Sequence, residues 1–219
     1  MKHLPSFVVA GLLALSGCYS TEIRKEEEAV QPGWQSSRQP LPMAQRKRVA
    51  VLEFDDQTDY GHGRIGRSAA SVLTTYLDRS QQFALYERER IGRLVEEQQA
   101  AGKSDVIAAT AAGRKAGVDF VIIGTVSGFG CRTRRSQVLF FGSSVTREAE
   151  ATVDVRLVDV ASGRIIASES GRGVVEVGTS QVLGVGASAG YDETMAGNAL
   201  RAAISKFVDK LIDQALDRR

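Results

Sequence analysis

Histidine, cysteine, proline and aromatic residues are all scarce in these 219 residues, and each scarcity removes a class of function. Only His3 and His62 are present, which leaves little material for a metal site or for general acid–base chemistry. The cysteines are Cys18 and Cys131, too few for a disulfide framework. Aromatic residues make up 6% of the chain, and no aromatic stripe interleaves with basic residues as a nucleic-acid surface requires. No apolar run approaches the roughly 20 residues needed to cross a bilayer as a helix. Neither sign of charge dominates, since the formal net charge is +2. A chain so balanced has no general electrostatic pull on nucleic acid.

What is present begins with a leader. Lys2 and His3 give a short basic start, and residues 4–15 form an apolar run broken only by Pro5 and Ser6. That run has the length of an export signal. Leu15-Ser16-Gly17-Cys18 resembles the lipobox of bacterial lipoproteins, in which the signal is cut before a cysteine that carries the lipid. The alternative is an ordinary secretory signal that ends by chance in cysteine. Each buried methylene contributes about 0.8 kcal/mol, so several acyl chains on Cys18 imply a durable membrane attachment. Tyr19, rather than aspartate, after the cysteine resembles the outer-membrane sorting class. With Cys18 acylated, Cys131 has no intramolecular disulfide partner. Removal of residues 1–17 takes one lysine and no acid, leaving 27 basic against 26 acidic residues.

Residues 18–47 read as a lipid-anchored flexible tether. They contain Glu26-Glu27-Glu28, prolines at 32, 40 and 42, and a basic cluster at Arg46-Lys47-Arg48, a composition that buries no core. From residue 48 to 219 the pattern is that of one domain. Residues 49–54 predict a buried strand, and Ala69, Val72, Leu73, Tyr76 and Leu77 recur at helical spacing. Residues 83–86 read as a second strand and Ile91, Leu94 and Val95 as a second helix ended by Gly102. Ser104 and Gly117 bracket a third helix. Residues 120–126 predict a central strand; residues 145–160 alternate as a strand, turn at Ser162-Gly163 and return antiparallel over 164–168. Leu200, Ala203, Ile204, Phe207, Val208, Leu211, Ile212, Ala215 and Leu216 line one face of a long final helix, with Asp192 as its cap. The order is βαβααβββα, an α/β fold with a mixed β-sheet packed by helices.

Two catalytic-looking motifs fail on inspection. Gly61-His62-Gly63-Arg64-Ile65-Gly66 fits GxGxxG, with Glu87 about 20 residues onward. In a dinucleotide site the first glycine ends the strand, whereas here residues 55–60 intervene with three carboxylates that repel phosphate. Gly186-Ala187-Ser188-Ala189-Gly190 fits GxSxG, but no histidine follows Ser188. Asp55, Asp56 and Asp59 read either as hard-cation ligands or as a solvated acidic loop, and they lack the EF-hand spacing. The chain therefore reads as a non-enzyme without metal or cofactor, its one covalent group the lipid on Cys18.

Residues 49–54, Leu85-Tyr86-Glu87-Arg88, residues 118–126, residues 155–166 and Gly190-Tyr191-Asp192-Glu193-Thr194 occur in an order and spacing similar to the curli secretion channel family, the CsgG/HfaB-type lipoproteins. The likeness covers residues 48–212 plus the lipobox. It implies an outer-membrane lipoprotein facing the periplasm, a homo-oligomeric ring, and export of polypeptide fibre subunits without nucleotide hydrolysis. Its expected partners are outer-membrane lipid and secreted or envelope proteins, not nucleic acid. It also implies that two β-hairpin insertions, residues 130–150 and 170–191, contribute to one shared membrane barrel. A tilted membrane strand needs about 9–11 residues, so stretches of about 20 residues just reach.

With Gly142-Ser143 as the turn, Arg135 lies opposite Glu150. One face then carries Val138, Phe140, Val145 and Ala149, but also Arg134 and Arg147. In the second insertion Leu183 and Val185 are the corresponding apolar positions. Val138, Phe140, Val145, Leu183 and Val185 are thus the candidate membrane-facing residues, and Tyr60, in the loop after the first strand, is the candidate for a pore constriction. Arginine facing lipid costs about 2–4 kcal/mol near the bilayer midplane. The alternative is a periplasmic lipoprotein that forms no pore and acts as a scaffold or adaptor in envelope assembly.

Overall fold

Alternation along the central strands sets the architecture. In the computed structural model, which describes residues 34–60, 63–102, 104–138, 142–182 and 193–217, successive strand residues serve two separate cores. Val49, Val51, Phe120, Ile122, Val153, Val155 and Leu157 face one core, and Ala50, Leu52, Val121 and Val160 face the other. Strands buried on both faces read as near-continuous apolar runs, as residues 120–126 do.

The elements in chain order are β1 (Lys47–Val51), β2 (Asp55–Asp56), α1 (Arg64–Ser80), β3 (Phe83–Tyr86), α2 (Arg88–Ala100), α3 (Asp105–Ala116), β4 (Phe120–Val138), β5 (Gly142–Asp159), β6 (Ile165–Val182), α4 (Glu193–Ser205) and α5 (Val208–Leu216). The sheet runs β3-β1-β4-β5-β6, and β2 pairs with β4. The pairs of β1 with β3 and β4 are parallel, and those of β5 with β4 and β6 are antiparallel. The sheet is therefore mixed, with α1, α4 and α5 on one face and α2 and α3 on the other. Ser162-Gly163 makes the expected turn: the Ser162 N–H donates to Asp159 Oδ2 at 2.9 Å, and Gly163 takes a φ of 71°.

Two features depart from the sequence-based expectation. The final helix is two helices, broken at Lys206 and Phe207, whose N–H groups donate three residues back to Ala203 and Ile204. Phe207 leaves helical geometry at φ −127° and is only 2% exposed. Its ring packs where a side chain at 171 would stand: a Cβ on Gly171 would lie 2.8 Å from Phe207 Cδ1. Apolar periodicity runs through the break because both helices bury the same side. Asp192 lies outside the described residues.

The second departure is the register of the first insertion. Val138 pairs with Gly142, Gln137 with Ser143, Arg135 with Val145 and Gly130 with Glu150, so Gly142 and Ser143 are paired strand residues and not the turn. Core alternation fixes this register: Val126, Gly124 and Ile122 must oppose Val153, Val155 and Leu157. A bulge at Ser127 then sets the phase of everything beyond. That demand outweighs the local turn preference of Gly-Ser.

The leading segment is held down from Trp34 onward. The Trp34 indole stacks at 5.2 Å on Tyr76 of α1 and donates Nε1–H to Asp209 Oδ2 of α5 at 3.0 Å. Arg38 pairs with Asp213 of α5, and the Leu41 N–H donates to the Gln81 carbonyl at 3.1 Å. Burial raises the Tyr76 phenol above its ordinary pKa. Residues 34–41 thus form a strap across α1 and α5 before the chain enters β1.

Candidate functional site

The strands β4, β5 and β6 are far longer than the core needs, at 19, 18 and 18 residues. Helix α4 covers their lower part. It can do so because Gly171 and Gly173 present no side chain: a Cβ there would lie 2.1 Å from the Ala203 carbonyl oxygen and 2.2 Å from that of Ala199. The last row with a fully buried residue is Cys131–Ala149–Val175, where Ala149 is 0% exposed. Above it each strand continues for seven residues, to Val138, Gly142 and Val182. At about 3.3 Å per residue this three-stranded ribbon extends about 23 Å.

Cross-strand rows assign its faces. On one face lie Arg132–Glu148–Glu176, Arg134–Thr146–Gly178, Ser136–Ser144–Ser180 and Val138–Gly142–Val182. On the other lie Thr133–Arg147–Val177, Arg135–Val145–Thr179 and Gln137–Ser143–Gln181. Of these 21 positions only Val138, Val145, Val177 and Val182 are apolar, and they are split evenly between the faces. This corrects the expected grouping. Arg134 and Arg147 lie on opposite faces, and Val145 lies beside Arg135, not with Val138. Phe140, Leu183, Val185 and Cys18 lie outside the described residues.

Ion pairs lie both at the foot of the ribbon and on it. Arg172 grips Glu150 through two hydrogen bonds, Nε to Oε1 at 2.6 Å and Nη2 to Oε2 at 2.8 Å. The Arg172 guanidinium holds the Glu150 carboxyl below its usual range. Arg134 reaches Glu148 at 3.8 Å, and the Glu148 side chain is only 16% exposed. Arg132, Arg134 and Arg135 are exposed, and Arg147 Nη1 is buried without a hydrogen-bond partner. The Glu148/Glu150 and Arg132/Arg134 spacing is a strand period visible in the sequence, but its meaning depends on the register.

Tyr60 packs on Phe129 at the base of the ribbon, with ring centroids 4.9 Å apart. The preceding loop is a local turn in which Asp56 Oδ1 accepts from the Thr58 N–H at 3.1 Å and Oγ1 at 2.6 Å. Asp55 accepts from Gln57 Nε2 at 3.1 Å. Among the described residues no group of three His, Cys, Asp or Glu side chains converges on a metal position. Gly66 serves helix–strand approach, since a Cβ there would lie 2.2 Å from the Phe54 carbonyl oxygen. Glu87 caps α2, accepting from the N–H groups of Glu89 and Arg90 at 3.0 and 2.9 Å. Those two bonds hold its carboxyl below the ordinary value. Gly61, His62 and the GxSxG stretch lie outside the described residues.

Residues 33–219 match the family described as the curli production assembly/transport component CsgG. The chain is 28% identical over 228 residues to a protein of Neisseria meningitidis serogroup B named as a putative lipoprotein, a match covering 99% of this chain and 96% of that one. Among solved structures it is similar to the PelC dodecamer from Paraburkholderia phytofirmans, with 17% identity, a TM-score of 0.39, and coverage of 76% of this chain and 91% of that one. It is also similar to lipoprotein GNA1162 from Neisseria meningitidis, with 12% identity, a TM-score of 0.40, and coverage of 57% and 78% respectively.

Proposed function

The chain belongs to the CsgG family, and from that premise we propose that it is a lipid-anchored envelope-assembly protein that holds partners at the periplasmic side of the outer membrane without opening a pore. Cys18 is the acylation site in this reading, and the strap at Trp34 is where the anchoring leash joins the folded domain. The ribbon is a docking element for envelope or secreted proteins or for further copies of the chain.

One observation carries the choice over a peptide-exporting barrel. A barrel wall needs an apolar outer face about 9–11 residues tall on each strand. Among the described residues the ribbon beyond Ala149 offers seven residues per strand, with arginine on both faces and two valines on each. At about 2–4 kcal/mol for each arginine held at midplane, either face of this described part is unfavourable in the bilayer core, which supports the reading without a pore.

The test is solubility and conductance. Cleavage of the leash between Cys18 and Trp34 should release the domain from isolated outer membranes in 0.5 M salt without detergent. Val145→Cys in a Cys131→Ser background should react with a water-soluble maleimide in those membranes. Stepwise conductance in planar bilayers, or labelling of that cysteine by lipid-phase reagents alone, would establish the channel and overturn the proposal.

A further inference from the structure

We infer that the β4 margin of the ribbon is a docking surface for anionic lipid headgroups, contacted through its exposed arginines. The surface rests on the envelope reading above but not on the absence of a pore. Arg132, Arg134 and Arg135 stand exposed on the margin of the ribbon, and among the described residues β4 has no paired neighbour beyond Asp56–Val126 on that side. The Arg134 side chain is 74% exposed, whereas its partner Glu148 is only 16% exposed. The positive charge is thus turned outward and the balancing carboxylate inward. With Arg135 and Arg147 on the face opposite Arg132 and Arg134, the seven-residue ribbon carries four arginines against Glu148 and Glu176.

The four arginines disfavour the bilayer core, and the three exposed ones on β4 fit its surface. Arginine costs about 2–4 kcal/mol at the midplane but about 0–1 kcal/mol near the headgroups. Its planar guanidinium pairs with phosphate through two parallel hydrogen bonds. Geometry permits the contact. The strap residue Trp34 is bonded to Asp209 of α5, and Lys210 and Gln214 of that helix bond Glu169 on β6. From Glu169 to the end of β6 at Val182 is about 43 Å at about 3.3 Å per residue. A leash from Cys18 to Trp34 reaches at most about 55 Å when fully extended. An acyl anchor at Cys18 therefore lies within reach of a plane that touches any part of the β4 margin.

The test uses the mature chain with Cys18→Ser, so that no acyl group contributes. Its binding is measured by co-sedimentation with vesicles of phosphatidylethanolamine containing one third phosphatidylglycerol, and with neutral phosphatidylcholine vesicles. The expected result is binding to the anionic vesicles alone, abolished by 0.5 M salt. Arg132→Gln/Arg134→Gln/Arg135→Gln should weaken it at least tenfold, and Arg135→Gln alone about fivefold, following about 1 kcal/mol per arginine. Each variant is checked for an unchanged melting curve. No sedimentation with anionic vesicles, equal binding to neutral ones, or full binding by the triple variant would overturn the inference. A conductance result in the preceding test leaves this measurement to stand or fall alone.

Discussion

Gly173→Ala adds one methyl where the sheet and α4 leave no space for it. Its Cβ would stand 2.2 Å from the Ala199 carbonyl oxygen and 2.3 Å from the Ala203 nitrogen, both of them helix backbone that no rotamer change relieves. Ordinary contact begins near 3.4 Å, so α4 must retreat by about 1 Å from β6. Ala199, Leu200, Ala203 and Ile204, all 0% exposed, move with it. Overpacking of a tight core costs about 1–3 kcal/mol, and a rigid clash of this depth belongs at the top of that range. Gly130→Ala is the control: it lies on the same sheet, makes the same chemical change, and its Cβ meets nothing within 4 Å. That variant should be neutral within about 0.5 kcal/mol. Urea unfolding of the unlipidated chain, read as midpoint shifts at constant slope, measures both. Equal midpoints for Gly173→Ala and Gly130→Ala would refute the claim that glycine is what seats α4 on β6.

Two further outcomes follow from contacts elsewhere. Trp34→Ala removes the aromatic stack on Tyr76 and the hydrogen bond to Asp209, together about 2 kcal/mol. It should expose residues 34–41 to rapid limited proteolysis while the domain from Lys47 onward stays folded. Asp119 clips β4 to β1, accepting from the Arg48 N–H at 2.8 Å and from Nη2 at 2.7 Å, and these bonds hold its carboxyl below the usual carboxylate range. Because the folded pKa is depressed, its contribution is complete above the unfolded value near 3.9 and is lost as pH falls through the lower folded value. Asp119→Asn should therefore flatten the stability–pH slope below about pH 4, measured by urea unfolding across pH 3 to 6.

How far the sequence alone reaches is clear from particular residues. The strands at 49–51, 83–86 and 120–126, the helices ending near Ser80 and Gly117, and the turn at Ser162-Gly163 were all legible. Each is set by local propensity, by capping, or by a period of 2 or 3.6 that survives without knowledge of its neighbours. The lack of a histidine after Ser188 and the six residues separating the first strand from Gly61 likewise argued against the catalytic motifs before any fold was known. The break at Phe207 was not legible, because the apolar stripe is continuous across it.

The faces of the ribbon could be decided only in three dimensions. Residue types there alternate in a way compatible with either register, and local turn preference pointed to Gly142-Ser143. A single extra residue at Ser127, and the need to oppose Val155 to Gly124, chose the other register. A slip of one position exchanges every side chain between faces. That long-range choice placed Arg134 and Arg147 on opposite sides and scattered the valines. The amino-acid order thus determined an α/β domain with little side-chain material for catalysis. Which residues its longest strands place on each face was decided by pairing between segments distant in the chain, which no local preference encodes.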